Sequence, residues 1–385
     1  MATLNKSTCI ATAFLMLAPP AHPASPERGS LEHIVNGAVQ PVLEAHEVPG
    51  MVVGLTIDGE RYFFEYGVAS KESGRRATKD TFFEIGSISK AFTATLAAYA
   101  QESGSLSLTD KASRYLPALE GSNLDRVSLL QLGTYSAGGL PLQFPDHVTD
   151  QEELVKFYRS WRPEYEPGTH RLYSNPSIGL FGFLAARSLG KSFDEVMESL
   201  LLPKLGLEDT FIDVPDHRIG DYAFGYTKSG NPIRVSPGMF DSEAYGIKTT
   251  AADMLQFLEA NMGQQELEDD LSQALATTRT GYFKVGDMVQ GLGWEIYQWP
   301  IELDRLLDGN SAELAFKPHK VTKLDPPKPL PGQILVNKTG STNGFGAYVA
   351  FLPGSRIGLV MLANKNYPIP ERVRIAYEIM TALED

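Results

Sequence analysis

The sequence predicts an α/β protein: an antiparallel sheet flanked by helices, with a mainly helical domain inserted between its strands. Two observations carry this. Strand patterns lie near both ends of the chain, and the middle reads as short helices separated by long loops. A chain of 385 residues is long enough for two domains or one large discontinuous one. The expected boundaries are 25–100 together with 285–385 for the α/β domain, and 101–284 for the helical domain.

Residues 1–24 read as a secretory signal peptide. Lys6 precedes an apolar stretch from Ile10 to Ala18, and Pro19-Pro20-Ala21-His22-Pro23-Ala24 follows, with cleavage after Ala21 or Ala24. The stretch is far shorter than the roughly 20 residues of a membrane span. The only cysteine, Cys9, precedes the apolar stretch and is poorly placed for lipid attachment. The mature chain then has no disulfide, a count that permits export. A periplasmic location is expected.

Leu31 to His46 has helical periodicity, with a kink expected at Pro41. Met51–Asp58 and Arg61–Ala69 read as a hairpin about Asp58-Gly59. Ile88 to Glu102 is rich in Ala and free of Gly and Pro. Ile88, Phe92, Leu96 and Tyr99 recur there at helical spacing, and Gly104 is placed to end the helix at C′. A second, strongly apolar helix runs from Ser177 to Ser188, with Pro176 suited to its first turn and Asn175 to its cap. Strands return at Tyr282–Met288, at Leu292–Tyr297, and around Leu335, Tyr348 and Ile357. The Pro-rich stretch Pro318–Pro331 reads as a loop. The C-terminus is an amphipathic helix with Val373, Ala376, Tyr377 and Met380 on one stripe.

The net charge of −13 becomes −14 without residues 1–24, which carry only Lys6. No Lys/Arg-rich run stands out, so neither nucleic acid nor an anionic membrane is expected as a partner. Histidines stand at 22, 33, 46, 147, 170, 217 and 319, none spaced as metal ligands on one element. Neither metal nor other cofactor is expected. No G-x-S-x-G elbow is present, which leaves a Ser-His-Asp hydrolase unsupported.

Three short strings carry the chemistry: Ser87-Ile88-Ser89-Lys90, Tyr173-Ser174-Asn175 and Lys338-Thr339-Gly340. S-x-x-K arises by chance roughly once or twice in such a chain. Ser188-Leu189-Gly190-Lys191 is a second match, and Lys228-Ser229-Gly230 repeats the third string. Context separates them. Ser87 follows the short apolar run Thr81–Gly86 and opens a helix, where free N–H groups and the dipole favour negative charge. Lys90 lies one turn along on the same side. Ser188 sits at the far end of a helix, with Gly190 as its stop. Lys338 ends the strand Gln333–Asn337 and precedes a Gly-rich turn that lets a substrate approach the backbone. Lys228-Ser229-Gly230 is a polar turn without flanking strands. Singly, Ser87 could be a cap, Lys338 an exposed strand-end lysine, and Tyr173 half-buried packing. Jointly they supply a nucleophile, two candidate bases, an amide-binding side chain and a cationic anchor for a carboxylate. Those are the parts of a serine enzyme that acylates itself on a small, acidic, amide-like substrate.

The mature chain resembles the class C serine beta-lactamases, secreted cephalosporin-hydrolysing enzymes of bacteria. The resemblance rests on Phe82–Lys90, on Ser136-Ala137-Gly138-Gly139-Leu140-Pro141-Leu142-Gln143 and on Arg171–Asn175. Asp241–Gly246, Lys338-Thr339-Gly340 and Ala363–Pro368 complete it. Asn337, where some members carry His, and Ile369, where others carry Asn, depart from the pattern near the expected carboxylate pocket. They bear on fine substrate preference.

The resemblance implies a serine beta-lactamase/penicillin-binding-protein-like fold and hydrolysis of cephalosporins and penicillins, hence antibiotic resistance. The partner is then a small beta-lactam, and the protein is expected to be a monomer. Ser87 is the implied nucleophile, with Lys90 and Tyr173 as candidate bases. Gln143 and Asn175 would bind the substrate's side-chain amide. Lys338, Thr339 and Asn366 would face its carboxylate, and Tyr245 would form one wall. The backbone N–H groups of Ser87 and Ser341 would hold the oxyanion, with Gly340 beside them. A D-Ala-D-Ala carboxypeptidase and a penicillin-sensing domain share the strings. An esterase of the same fold would tend to lack Lys338-Thr339-Gly340.

Overall fold

A computed structural model describes residues 27–384. The expected signal peptide, with Lys6 and Cys9, lies outside them. The frame is a nine-stranded antiparallel sheet built from both ends of the chain. Its strands are β1 (Gly50–Ile57), β2 (Glu60–Gly67), β3 (Gly281–Val285), β4 (Met288–Gln290), β5 (Glu295–Gln298), β6 (Thr322–Lys328), β7 (Ile334–Ser341), β8 (Gly346–Leu352) and β9 (Ile357–Ala363). Their order is β6-β3-β4-β5-β7-β8-β9-β1-β2.

Both faces are covered, so the central strands are apolar throughout instead of alternating. Met51, Val53, Leu55, Leu359 and Met361 pack with the helices α1 (Arg28–Ala45) and α6 (Ile369–Glu384). Val52, Val336, Val349, Val360 and Leu362 pack on the opposite face. There they meet α2 (Ser89–Glu102) and α4 (Ala251–Asn261) through Phe92, Leu96, Leu255 and Leu258. The α6 stripe is as expected, with Val373, Ala376 and Met380 buried. The β1–β2 hairpin turns at Asp58 and Gly59, whose φ values of 50° and 88° suit a two-residue turn with right-handed twist.

A second core lies on the far side of α2. It joins Ala94, Ala97 and Ala100 to Leu132, Tyr158, Ile178, Phe181 and Leu184 of the helical layer, which includes α3 (Asn175–Ser188). The helix α5 (Asp269–Thr278) also packs on α2. Helix α2 is therefore buried on nearly every side. Its alanines permit close approach, and Phe92 and Leu96 fill the sheet side. This central position sets the N-terminus of α2 between the sheet and the helical layer.

Several expectations are corrected. The Pro-rich stretch is not a loop. It holds the short strand His319–Lys320 and β6, with Pro326 and Pro327 on the sheet's edge, where a missing N–H costs no ladder bond. Tyr282–Met288 is two strands, β3 and the start of β4, divided at Gly286 with φ 57°. Strand β7 does not stop at Lys338; it continues through Ser341, paired with β8, and the turn follows at Thr342–Gly344. Lys228-Ser229-Gly230 is flanked by strands after all, the two-residue pair Gly225–Tyr226 and Pro232–Ile233. Ser174, not Asn175, caps α3, accepting from the Ser177 N–H at 3.0 Å.

Candidate active site

Gly86, with φ 52°, opens a 3₁₀ turn over Gly86–Ile88 that leads directly into α2. The turn lies hard against β7. A Cβ on Gly340 would overlap the Ile85 carbonyl oxygen, and one on Gly86 would stand 2.5 Å from the Ser341 nitrogen. Two glycines thus let the nucleophile segment and the Lys338-Thr339-Gly340 strand touch backbone to backbone. The Thr342 N–H bonds the Phe345 carbonyl at 3.1 Å. Ladder bonds alternate along an antiparallel strand, so the Ser341 N–H points away from β8, and Gly86 of the nucleophile segment packs against that nitrogen.

Lys90 is fully buried beneath Ser87. Its Nζ donates to Ser87 Oγ at 3.0 Å and to the Ala244 carbonyl at 2.6 Å. Tyr173 comes from the segment before α3. The Lys90 and Lys338 ammoniums lie 5.2 and 5.3 Å from its ring centroid. Its hydroxyl is buried and has no partner of hydrogen-bonding geometry among the described residues. Burial alone would push this phenol up. The charges of Lys338 and Lys90, with Ser87 beside them, outweigh burial and hold it below the ordinary tyrosine value. Lys90 is lowered as well, by burial first and then by Lys338, with Tyr173 opposing.

A cleft of about 640 Å³ opens over these groups. It is lined by Ser87, Gln143, Tyr173, Asn175 and Tyr245 on the helical side, and by Lys338, Thr339, Gly340, Ser341 and Asn366 on the sheet side. Every expected site residue thus lines it except Lys90, which lies below its floor. Asn175 is buried with its Oδ1 unpartnered. Asn366 donates to the Thr342 carbonyl at 3.0 Å and accepts from Arg372 at 2.7 Å. Asn337, expected near the carboxylate pocket, does not itself line the cleft. It is fully buried, donates to the Glu295 carbonyl at 2.9 Å and accepts from the Tyr348 hydroxyl at 3.2 Å. Lys338, its neighbour, takes the opposite face of the strand. Ile369 does line the cleft.

Sequence reasoning missed three buried charges. Arg372 donates to the carbonyls of Gly340 at 2.7 Å and Ala347 at 3.3 Å, to Ser341 Oγ at 3.0 Å and to the Tyr367 carbonyl. It ties α6 to the strand that faces Ser87. Arg171 and Glu295 pair at 3.2 Å beside Lys338. Their roles are not legible locally, because most of their partners lie far away in sequence. Among the described residues, no three His, Cys, Asp or Glu side chains are grouped to hold a metal ion, and no helix is long and apolar enough to cross a membrane.

A cleft-lining serine above a buried lysine, with a lysine-flanked tyrosine, at the seam of an antiparallel sheet and a helical layer, defines a serine acyl-transfer hydrolase of the penicillin-recognising type. The chain belongs to the beta-lactamase family, whose model matches residues 35–384, and its fold is that of the class C serine enzymes. It is 53% identical over 354 residues to a beta-lactamase of Pseudomonas fluorescens, covering 92% of this chain and 99% of that one. A beta-lactamase of Yersinia enterocolitica is 46% identical, covering 91% of each. Among solved structures, a class C beta-lactamase in complex with cefoxitin superposes with a TM-score of 0.89 at 44% identity, over 92% of this chain and 99% of that one. A beta-lactamase/D-alanine carboxypeptidase from Pseudomonas syringae gives a TM-score of 0.90 at 46% identity, over 91% and 99%.

Proposed function

We propose that the protein hydrolyses the beta-lactam amide of cephalosporins and penicillins through an ester on Ser87, and so confers resistance to them. The observation that carries this is the buried Lys90 Nζ, 3.0 Å from Ser87 Oγ, under a cleft whose far wall presents Lys338. The Ser87 oxygen bonds to the lactam carbonyl carbon as its proton passes to the Lys90–Tyr173 pair. The carbon–nitrogen bond breaks, and the pair returns the proton to the nitrogen. Water then attacks the ester, gives its proton to the same pair, and frees Ser87 as the proton returns to its oxygen. The pair titrates as a unit, and its competent form carries one proton fewer than the fully protonated one.

The Ser87 and Ser341 N–H groups stabilise the oxyanion, each donor contributing about 3 kcal/mol. Lys338, Thr339 and Asn366 receive the substrate carboxylate. Gln143 and Asn175 receive the side-chain amide, for which the unpartnered Asn175 Oδ1 is a ready acceptor. Tyr245 walls the opposite rim. We infer export to the periplasm from the Lys6–Ala24 pattern, and action as a monomer. The test is Ser87→Ala: it should keep its fold by circular dichroism and lose turnover of a chromogenic cephalosporin. Retained hydrolysis would refute the mechanism.

A further inference from the structure

One wall of the cleft carries a tier of buried charge, to which Arg171, Glu295 and Lys338 all belong. The Arg171 guanidinium donates through Nε to Gln290 Oε1 at 2.7 Å, through Nη1 to the Leu314 carbonyl at 2.9 Å and through Nη2 to Glu295 Oε1 at 3.2 Å. The same Glu295 oxygen lies 3.7 Å from the Lys338 ammonium. Gln290 is fixed in turn by donating to the Gly291 and Trp294 carbonyls, both at 3.0 Å. The side chains of Arg171, Gln290, Glu295 and Lys338 are all buried. The guanidinium carbon also stands 5.4 and 5.7 Å from the ring centroids of Tyr135 and Tyr173.

We propose that Arg171 and Glu295 are positioning residues for the proton-transfer pair: Arg171 holds the Glu295 carboxylate by the oxygen that faces Lys338, leaving the Lys338 charge to act on Tyr173 and on the substrate. The inference rests on the reading of Lys90 and Tyr173 as that pair. The distances support the division of labour. Glu295 is hydrogen-bonded to Arg171, whereas Lys338 is beyond hydrogen-bond reach. A planar fork anchored by two neutral acceptors suits the holding role better than a flexible ammonium. Burial makes each charge count, because little water screens it.

The groups facing the pair are Lys338 on β7, Glu295 on β5, Ser87 on the 3₁₀ turn, and Arg171 and Tyr135 beneath the Tyr173 ring. The Glu295 charge favours the protonated forms of both Lys90 and Tyr173. Its effect therefore has one sign whichever of the two holds the proton.

The test is the acid limb of the kcat/KM profile with a cephalosporin. Arg171→Met leaves Glu295 unopposed and should move the limb up by about one pH unit. Glu295→Gln should move it down by a similar amount, and the double variant should return it close to the parent. A tier that only supports the fold predicts lower kcat in both single variants, an unmoved limb and no recovery in the double. If Arg171→Met does not fold, the near-isosteric Glu295→Gln still tests the sign. The same variants are titrated by NMR with tyrosine labelled at 13Cζ, the Tyr173 signal being assigned with Tyr173→Phe. Opposite shifts of that signal with an unmoved activity limb would uphold the tier and refute the proton-transfer role of Tyr173. Absence of opposite shifts in both readouts overturns the proposal.

Discussion

The Lys338 ammonium lies 5.3 Å from the centroid of the Tyr173 ring. The two side chains come from opposite layers of the molecule, one from β7 and one from the segment before α3. The lysine that should anchor the substrate is also the nearby charge that most lowers the Tyr173 phenol, and it lowers Lys90 too.

Lys338→Met should therefore have two effects. It should raise KM for substrates bearing a carboxylate. It should also move the acid limb of kcat/KM to higher pH by about one unit or more, because both members of the pair lose a charge that favours proton release. A pH–rate series on the variant measures both, and an unmoved limb would separate Lys338 from the proton chemistry.

Gly340→Ala should separate β7 from the nucleophile segment. The added Cβ meets the Ile85 carbonyl oxygen, which is backbone and cannot rotate aside. The Ser341 N–H would then move off the oxyanion position, with a loss of about 100-fold in kcat or more. Single-turnover kinetics should place the loss in bond breaking rather than in substrate binding.

The Glu243 carboxyl, in the short helix that carries the Ala244 acceptor of Lys90, is pushed up to about 8 by burial, with Asp194 and Asp241 adding to it. Its folded value lies above its unfolded one. The resulting stability is complete below pH 4.5 and is lost as pH rises toward 8. Glu243→Gln removes that dependence. The stability of the variant relative to the parent should improve by roughly 1.4 kcal/mol per pH unit across the window. Denaturant melts at several pH values check this; a constant difference would contradict it.

Arg372→Lys should destabilise the protein and weaken binding of anionic substrates together. One ammonium cannot reach Gly340, Ser341 and Asn366 at once. Each buried acceptor left unmet costs about 1–3 kcal/mol. A lowered unfolding midpoint with a raised KM is expected, and an unchanged midpoint would contradict the tie between α6 and β7.

What was legible in the sequence was local. The hairpin at Asp58-Gly59, helix α2 ending at Gly104, and the α6 stripe follow from turn chemistry and periodicity confined to a few residues. The three strings marked the residues that line the cleft or lie just beneath it, because their spacing survives in the chain. Pro326 and Pro327 misled because a sequence does not reveal which strand lies at an edge. Lys338 read as a strand end because Thr339 and Gly340 lack a strand's apolar signature. The pairing of Arg171 with Glu295 spans 124 residues and is produced only when the segment before α3 packs against β5. Arg372 looked like one more charge on an amphipathic helix, and only the tertiary packing shows it buried behind the site.

The most direct test of the central claim is to mix the purified protein with a chromogenic cephalosporin and follow absorbance and intact protein mass together. Sustained colour with a transient adduct on Ser87 is predicted, since the Lys90–Tyr173 pair remains in place to activate water against the ester. One equivalent of colour with a lasting adduct would contradict hydrolysis and assign the site to a penicillin-binding peptidase or sensor.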